Sequence, residues 1–139
     1  MKKSIVAAVV LGLFAFASSA SADQLLFTKG MSKSGSSVAV DYMSDGRAVG
    51  LQFEILVPGK AQVDLSGFAK SLPKGFTAEH NVVDGKLIIM IVNDQSVPLP
   101  AGLISLGTIK AIGGTGEFVL ERLYSADAQA QLIDVETVQ

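Results

Sequence analysis

Few residues of this chain could do chemistry. Its 139 residues include one histidine, His80, and no cysteine. A thiol nucleophile and a thiolate metal site are therefore excluded, and a transition metal would have to be held by carboxylates around that one imidazole. A hydrolytic triad would need the same histidine beside a serine. No G-x-S-x-G occurs, and Ser34-Gly35 and Ser66-Gly67 have the composition of turns. The 13 acidic residues are scattered singly over turns and strand edges, as solvated charges are, although a sheet could still pair two of them as a glycosidase does. Asp84, Asp94 and Asp127 fall in turns without the D-x-[DN]-x-[DN]-G spacing of a calcium loop. Glycines 113, 114 and 116 make a flexible turn, since no helix follows them to bind a phosphate. We expect no catalytic residue, no cofactor and no metal.

Carbohydrate binding is the second class to weigh, because sugars stack on flat aromatic side chains. The chain has no tryptophan and only two tyrosines, Tyr42 and Tyr124. Tyr42 alternates in phase with Val38 and Val40 and belongs to a core face, which leaves Tyr124 as the one candidate platform.

The elements that position these residues are strands. "SSVAVDYM" alternates, and in "AVGLQFEILVPG" Val49, Leu51, Phe53, Ile55 and Val57 share one face while Gly50, Gln52, Glu54 and Leu56 share the other. Further strands are expected over 24–28, 61–65, 76–83, 86–92, 103–112, 117–125 and 131–138, with a possible helical turn in "SGFAKSLPKG". Turn signals recur every ten residues or so and no helical period is sustained. This predicts an all-β fold, a two-layer antiparallel β-sandwich of jelly-roll type with about eight or nine strands.

The ends bound the compartment. Met1-Lys2-Lys3, the thirteen-residue run Ile5 to Ala17 and the small-residue site Ala20-Ser21-Ala22 read as a signal peptide over 1–22, leaving a single domain over 23–139. That predicts an exported protein, periplasmic or secreted, with no membrane anchor after cleavage. Without Lys2 and Lys3 the charge is 9 − 13 = −4. The remaining cations form no basic stripe, so nucleic acid is not an expected partner.

One stretch breaks the alternation. "DGKLIIMIVND" carries six apolar residues in a row, Leu87 to Val92. The two-residue turn Asp84-Gly85 sets Val83 opposite Lys86, Asn81 opposite Ile88, His80 opposite Ile89 and Glu79 opposite Met90. One face then holds Ala78, His80, Val82, Leu87, Ile89 and Ile91, the better core, with His80 as a core histidine. The other holds Thr77, Glu79, Asn81, Val83 and Lys86 together with Ile88, Met90 and Val92. In a two-layer sandwich the last three point outward, and Leu56 adds a fourth outward apolar residue. Either they form a contact patch for a partner, or the loop 66–75 (through Phe68 and Leu72) or the loop 94–102 folds over them.

The pattern resembles the cohesin family. "AVGLQFEILVPG" is similar to its Gly-aromatic-Gln-Phe-acidic-Leu strand, "NVVDGKLIIMIVND" to its hairpin into a long apolar strand, "PLPAGLISLGTIKA" to its Leu-x-x-Ile-x-Phe-x-Ala strand, and "FVLERLYSADAQAQLID" to its last hairpin. The likeness runs from Val38 to Val135. It implies a non-enzymatic module that holds another protein on one outer sheet face, in cellulosomes a calcium-loaded dockerin. Leu56-Val57-Pro58-Gly59 departs from the pattern, since dockerin-binding members have a polar residue, an aromatic, then Asp-Pro there, and the acidic contact is missing. The function expected is protein–protein interaction with another exported or cell-surface protein through Leu56, Ile88, Met90 and Val92, with polysaccharide as the alternative ligand.

Overall fold

The computed structural model describes residues 23–139; the signal-peptide reading falls on 1–22, outside the described residues. Nine strands follow in order: β1 Asp23–Ser32, β2 Gly35–Ser44, β3 Gly50–Leu56, β4 Gln62–Asp64, β5 Phe76–Val83, β6 Lys86–Asn93, β7 Gly102–Ile112, β8 Val119–Ala126 and β9 Val135–Val138. They form two sheets, β4-β7-β2-β1-β9 and β5-β6-β3-β8. Every strand pair is antiparallel except β1 with β9. This is the predicted two-layer jelly-roll sandwich.

Alternation places the core. Leu25, Phe27, Val38, Val40 and Tyr42 face inward from one sheet, and Leu51, Phe53, Ile55, Leu87, Ile89 and Ile91 from the other, all buried. Loop residues close the gaps between the layers: Phe68, Leu99, Phe118 and Ile133 are buried in the same cluster. Such burial stabilises by about 1.5–3 kcal/mol per large apolar side chain.

Two glycines are required by geometry. Gly85 takes φ 75° after Asp84 at φ 52°, the paired positive angles of the two-residue hairpin turn. Gly107 sits at φ 114°, and a Cβ there would lie 2.4 Å from the Gly67 carbonyl oxygen. Only glycine lets residues 67–69 lie against β7, where Ala69 N donates to Leu106 O (2.7 Å) and Thr108 N to Gly67 O (3.0 Å).

Four expectations are corrected. β1 is longer than predicted, because the turn at Lys33-Ser34 lets it pair with β2 as far as Ser32 with Gly35. β9 is shorter: residues 131–134 leave the ladder, and Ile133 turns into the core. Residues 66–75 form turns and bends with no helical turn. His80 is on the predicted inward side, opposite Ile89, yet it is exposed, as are Ala78 and Val82. β5 is an edge strand, and its inner side faces a cleft walled by Leu65, Phe68, Ala69 and Leu72 instead of packed core.

Candidate functional site

The outward face of β5-β6-β3-β8 is built by cross-strand register. Met90 stands between Glu79 of β5 and Gln52 of β3, with Tyr124 of β8 beyond Gln52. On one side of that row, Val92 lies between Thr77 and Gly50. On the other, Ile88 lies between Asn81 and Glu54, with Arg122 beyond. The apolar side chains of β6 thus run as a stripe across a sheet that is otherwise polar.

The stripe is open. Met90 is 44% exposed, and Ile88, Val92 and Leu56 are half-buried by their neighbours on the sheet. Neither candidate loop lies over it. Phe68 is buried in the core and Leu72 packs against that cluster, because the Gly107 contact draws 67–69 to the opposite sheet. The proline loop is likewise committed elsewhere: Leu99 is buried and its N–H bonds Ala48 O at 2.7 Å.

Structure and register bring Ile88, Met90 and Val92 together and set Leu56 apart. Leu56 pairs with Lys86 and with Val119, so it meets Ile88 only diagonally, where cross-strand spacings reach about 7–8 Å. Between them lies a charge cluster: Lys86 Nζ is 3.4 Å from Glu54 Oε1 and 3.1 Å from Glu121 Oε1. Glu121, then Glu54, raises the Lys86 pKa. A register shift in β8 between the partners of Glu54 and Ile55 brings Glu121 within that reach. Arg122 Nη1 approaches the Tyr124 hydroxyl at 3.5 Å, and Tyr124 is 40% exposed. Val119 and Glu121 are members of the face that sequence reasoning missed, since a bulge in a neighbouring strand leaves no mark in the alternation.

The other candidates resolve structurally. Tyr42 is a core residue whose hydroxyl donates to the buried Asp23 carboxylate and meets Ser125 Oγ at 2.9 Å. Burial raises the Asp23 pKa, against the opposing hydrogen bonds from Tyr42 and the Asp45 backbone. Burial, then the Asp23 hydrogen bond, raises that of Tyr42. The Asp127 carboxylate accepts from the N–H groups of Gln129 and Gln131, both at 2.9 Å, and shapes its own turn. Asp84 occupies the hairpin turn. Among the described residues no three His, Asp or Glu side chains converge as metal ligands. None of the side-chain hydrogen bonds or ion pairs found among them involves His80, which lines a cleft with Lys70, Leu72, Phe76 and Ile89.

Solved structures share this arrangement. A non-cellulosomal cohesin from the hyperthermophilic archaeon Archaeoglobus fulgidus superposes with a TM-score of 0.65 at 16% identity, covering 85% of this chain and 87% of that one. The fold is cohesin-like. A type II cohesin from Bacteroides cellulosolvens matches with TM-score 0.57 at 14% identity, covering 84% and 95%. A type II cohesin–X-dockerin complex from Acetivibrio cellulolyticus gives 0.55 at 12% identity, covering 84% and 95%. No family model matches the sequence, and no curated protein is similar to it in sequence. At these identities the likeness is one of fold.

Proposed function

We infer that this cohesin-like domain is a non-catalytic, exported module that holds another exported or cell-surface protein on the outer face of β5-β6-β3-β8. The observation that carries this reading is the open stripe Ile88, Met90 and Val92, bordered by Glu79, Gln52, Glu54 and Lys86. An apolar centre inside a polar rim is the usual anatomy of a protein contact. Methionine at its middle suits a surface that adapts to its partner. One of the solved neighbours is a cohesin in complex with an X-dockerin, which supports a protein as ligand. Leu56-Val57-Pro58-Gly59 lacks the acidic residue of dockerin-binding cohesins, so the partner proposed here is one with an apolar surface of its own.

Polysaccharide is the weaker ligand, because Tyr124 is the one aromatic side chain on the face. The test is affinity capture from the host's exported fraction by wild type and by Met90→Asp, with a polysaccharide pull-down in parallel. A protein retained by wild type and lost by the variant, whose melt is unchanged, supports the reading. Equal capture by both, or retention on polysaccharide alone, overturns it.

A further inference from the structure

The four sheet edges of the sandwich are finished differently. In the first sheet, β4 has three residues and β9 has four, too short to template another strand. β8 carries a bulge and the exposed charges Glu121 and Arg122, and its end is capped where Ala126 bridges Leu132 and Ile133 N donates to Ser125 O at 2.8 Å. Short strands, bulges, charges and covering segments are the means by which sheets avoid pairing with other chains.

β5 has almost none of them. It is eight residues long and pairs with β6 without a register shift from Phe76 to Val83. It has no proline and only one charged residue, Glu79. The two-residue turn directs the backbone groups of Val83, Asn81, Glu79 and Thr77 toward β6, so those of Val82, His80 and Ala78 face outward. No backbone hydrogen bond from outside the β5–β6 ladder reaches these three among the described residues. The side chains of Ala78 and His80 line the cleft also walled by Leu65, Phe68, Ala69 and Leu72, and Val82 beyond them is 49% exposed.

We propose that β5 pairs with β5 of a second copy, antiparallel about a two-fold axis at His80, merging two four-stranded sheets into one. The register follows from the side chains. The axis that passes between residues at Glu79 would set Glu79 directly against its own copy, and like charges directly opposite are destabilising. It would also call on the Phe76 N–H, which already bonds Pro73 O at 3.1 Å. Moving the axis to His80 sets Glu79 opposite Asn81 of the copy, a carboxylate facing an amide donor. Ala78 then meets Val82 and His80 meets His80, each pair exchanging both of its backbone bonds. The inward side chains of the added strand close over the cleft, which supplies the apolar cover that β5 lacks within one chain. The two stripes of β6 come to lie in one surface about 14–15 Å apart, three strand spacings. Pairing uses the edge and not the outer face, so it stands or falls independently of the partner inferred above.

The cysteine-free chain gives a clean test. In the full domain, light scattering after size exclusion should report a dimer with a Kd on the order of 10–100 µM, as suits a contact below about 1,200 Å². His80→Cys should form a disulfide-linked dimer much faster than a control cysteine at the exposed Val97, because facing residues on the axis have Cα atoms about 5.5 Å apart, within disulfide reach. His80→Pro removes an N–H that faces away from β6, so it should leave the melt nearly unchanged and abolish the dimer. Asn81→Glu should weaken the dimer at least tenfold, and Glu79→Lys added to it should restore pairing. A monomer at every concentration, or a dimer that survives His80→Pro, overturns the proposal. So does an edge that binds only a foreign extended peptide, seen as slowed exchange of the Ala78, His80 and Val82 amides.

Discussion

The two long sides of this sandwich differ in how their edges are closed. On one side, residues 127–134 fold back along β8, Ile133 is 5% exposed, and the hydrogen-bonded cluster of Asp23, Tyr42 and Ser125 is buried nearby. On the other, every residue of β5 after Phe76 is exposed. β6, its hairpin partner, buries Leu87, Ile89 and Ile91 completely. The two strands of that hairpin share an inner face by register, yet only one has a core beneath it. A face is defined locally by the pleat, whereas burial depends on what the rest of the chain places opposite.

That contrast can be broken most sharply at one cross-strand pair. Ile89→Ala on β6 should cost about 2–5 kcal/mol in urea denaturation, the usual range for emptying a packed aliphatic site. His80→Ala, directly across on β5, should fall within about 0.5 kcal/mol of wild type. Similar losses at both positions would mean that β5 is covered after all.

The closed side makes a pH-dependent prediction. A raised Asp23 pKa means that the folded state binds its proton more tightly than the unfolded chain does. Stability from this group is therefore greatest below the ordinary carboxylate value of 3.8, and is lost as pH rises from there through the raised value. Asp23→Asn keeps an oxygen acceptor for Asp45 N–H and an amide that can donate to the Tyr42 hydroxyl. It should match wild type or exceed it by up to about 1 kcal/mol at pH 7, and it should flatten that part of the stability–pH curve measured by chemical denaturation. A variant with an unchanged pH slope would show that Asp23 is not the group responsible.

Small in free energy, too, is the outer stripe. Met90→Asp should alter stability by no more than about 0.5–1 kcal/mol, since the site is open to water. Peroxide oxidation followed by mass spectrometry should modify Met90 at a rate close to that of Met43, with Met31 the fastest; the three are 44%, 38% and 78% exposed. Protection of Met90 to the level of a core residue would contradict the open stripe.

Much of this was legible from the residues. Alternation in 49–57 and 38–42 gave the inward faces, and Asp84-Gly85 gave the hairpin register residue by residue, because a two-residue turn admits only one pairing. The outward course of Ile88, Met90 and Val92 followed from that register and the two-layer architecture. The exposure of His80 did not, for alternation cannot report what the rest of the chain places opposite β5. Phe68 was weighed as a cover for the stripe. Its true place in the core depends on Gly107, 107 − 68 = 39 residues downstream in the sheet opposite the stripe, and the sequence carries no local mark of that encounter. Glu121 was missed for the same kind of reason, since its reach to Lys86 comes from a bulge opposite β3.

The parallel pairing of β1 with β9 bears on force. β1 enters the sheet at Asp23 beside Val135, and β9 leaves it at Val138 beside Leu26. Tension applied between the two ends of the domain therefore pulls two neighbouring strands past each other along their length. The bonds between them share the load together and do not open one after another like a zipper. Resistance of this edge to stretching rests on four residue pairs, Asp23 to Leu26 against Val135 to Val138.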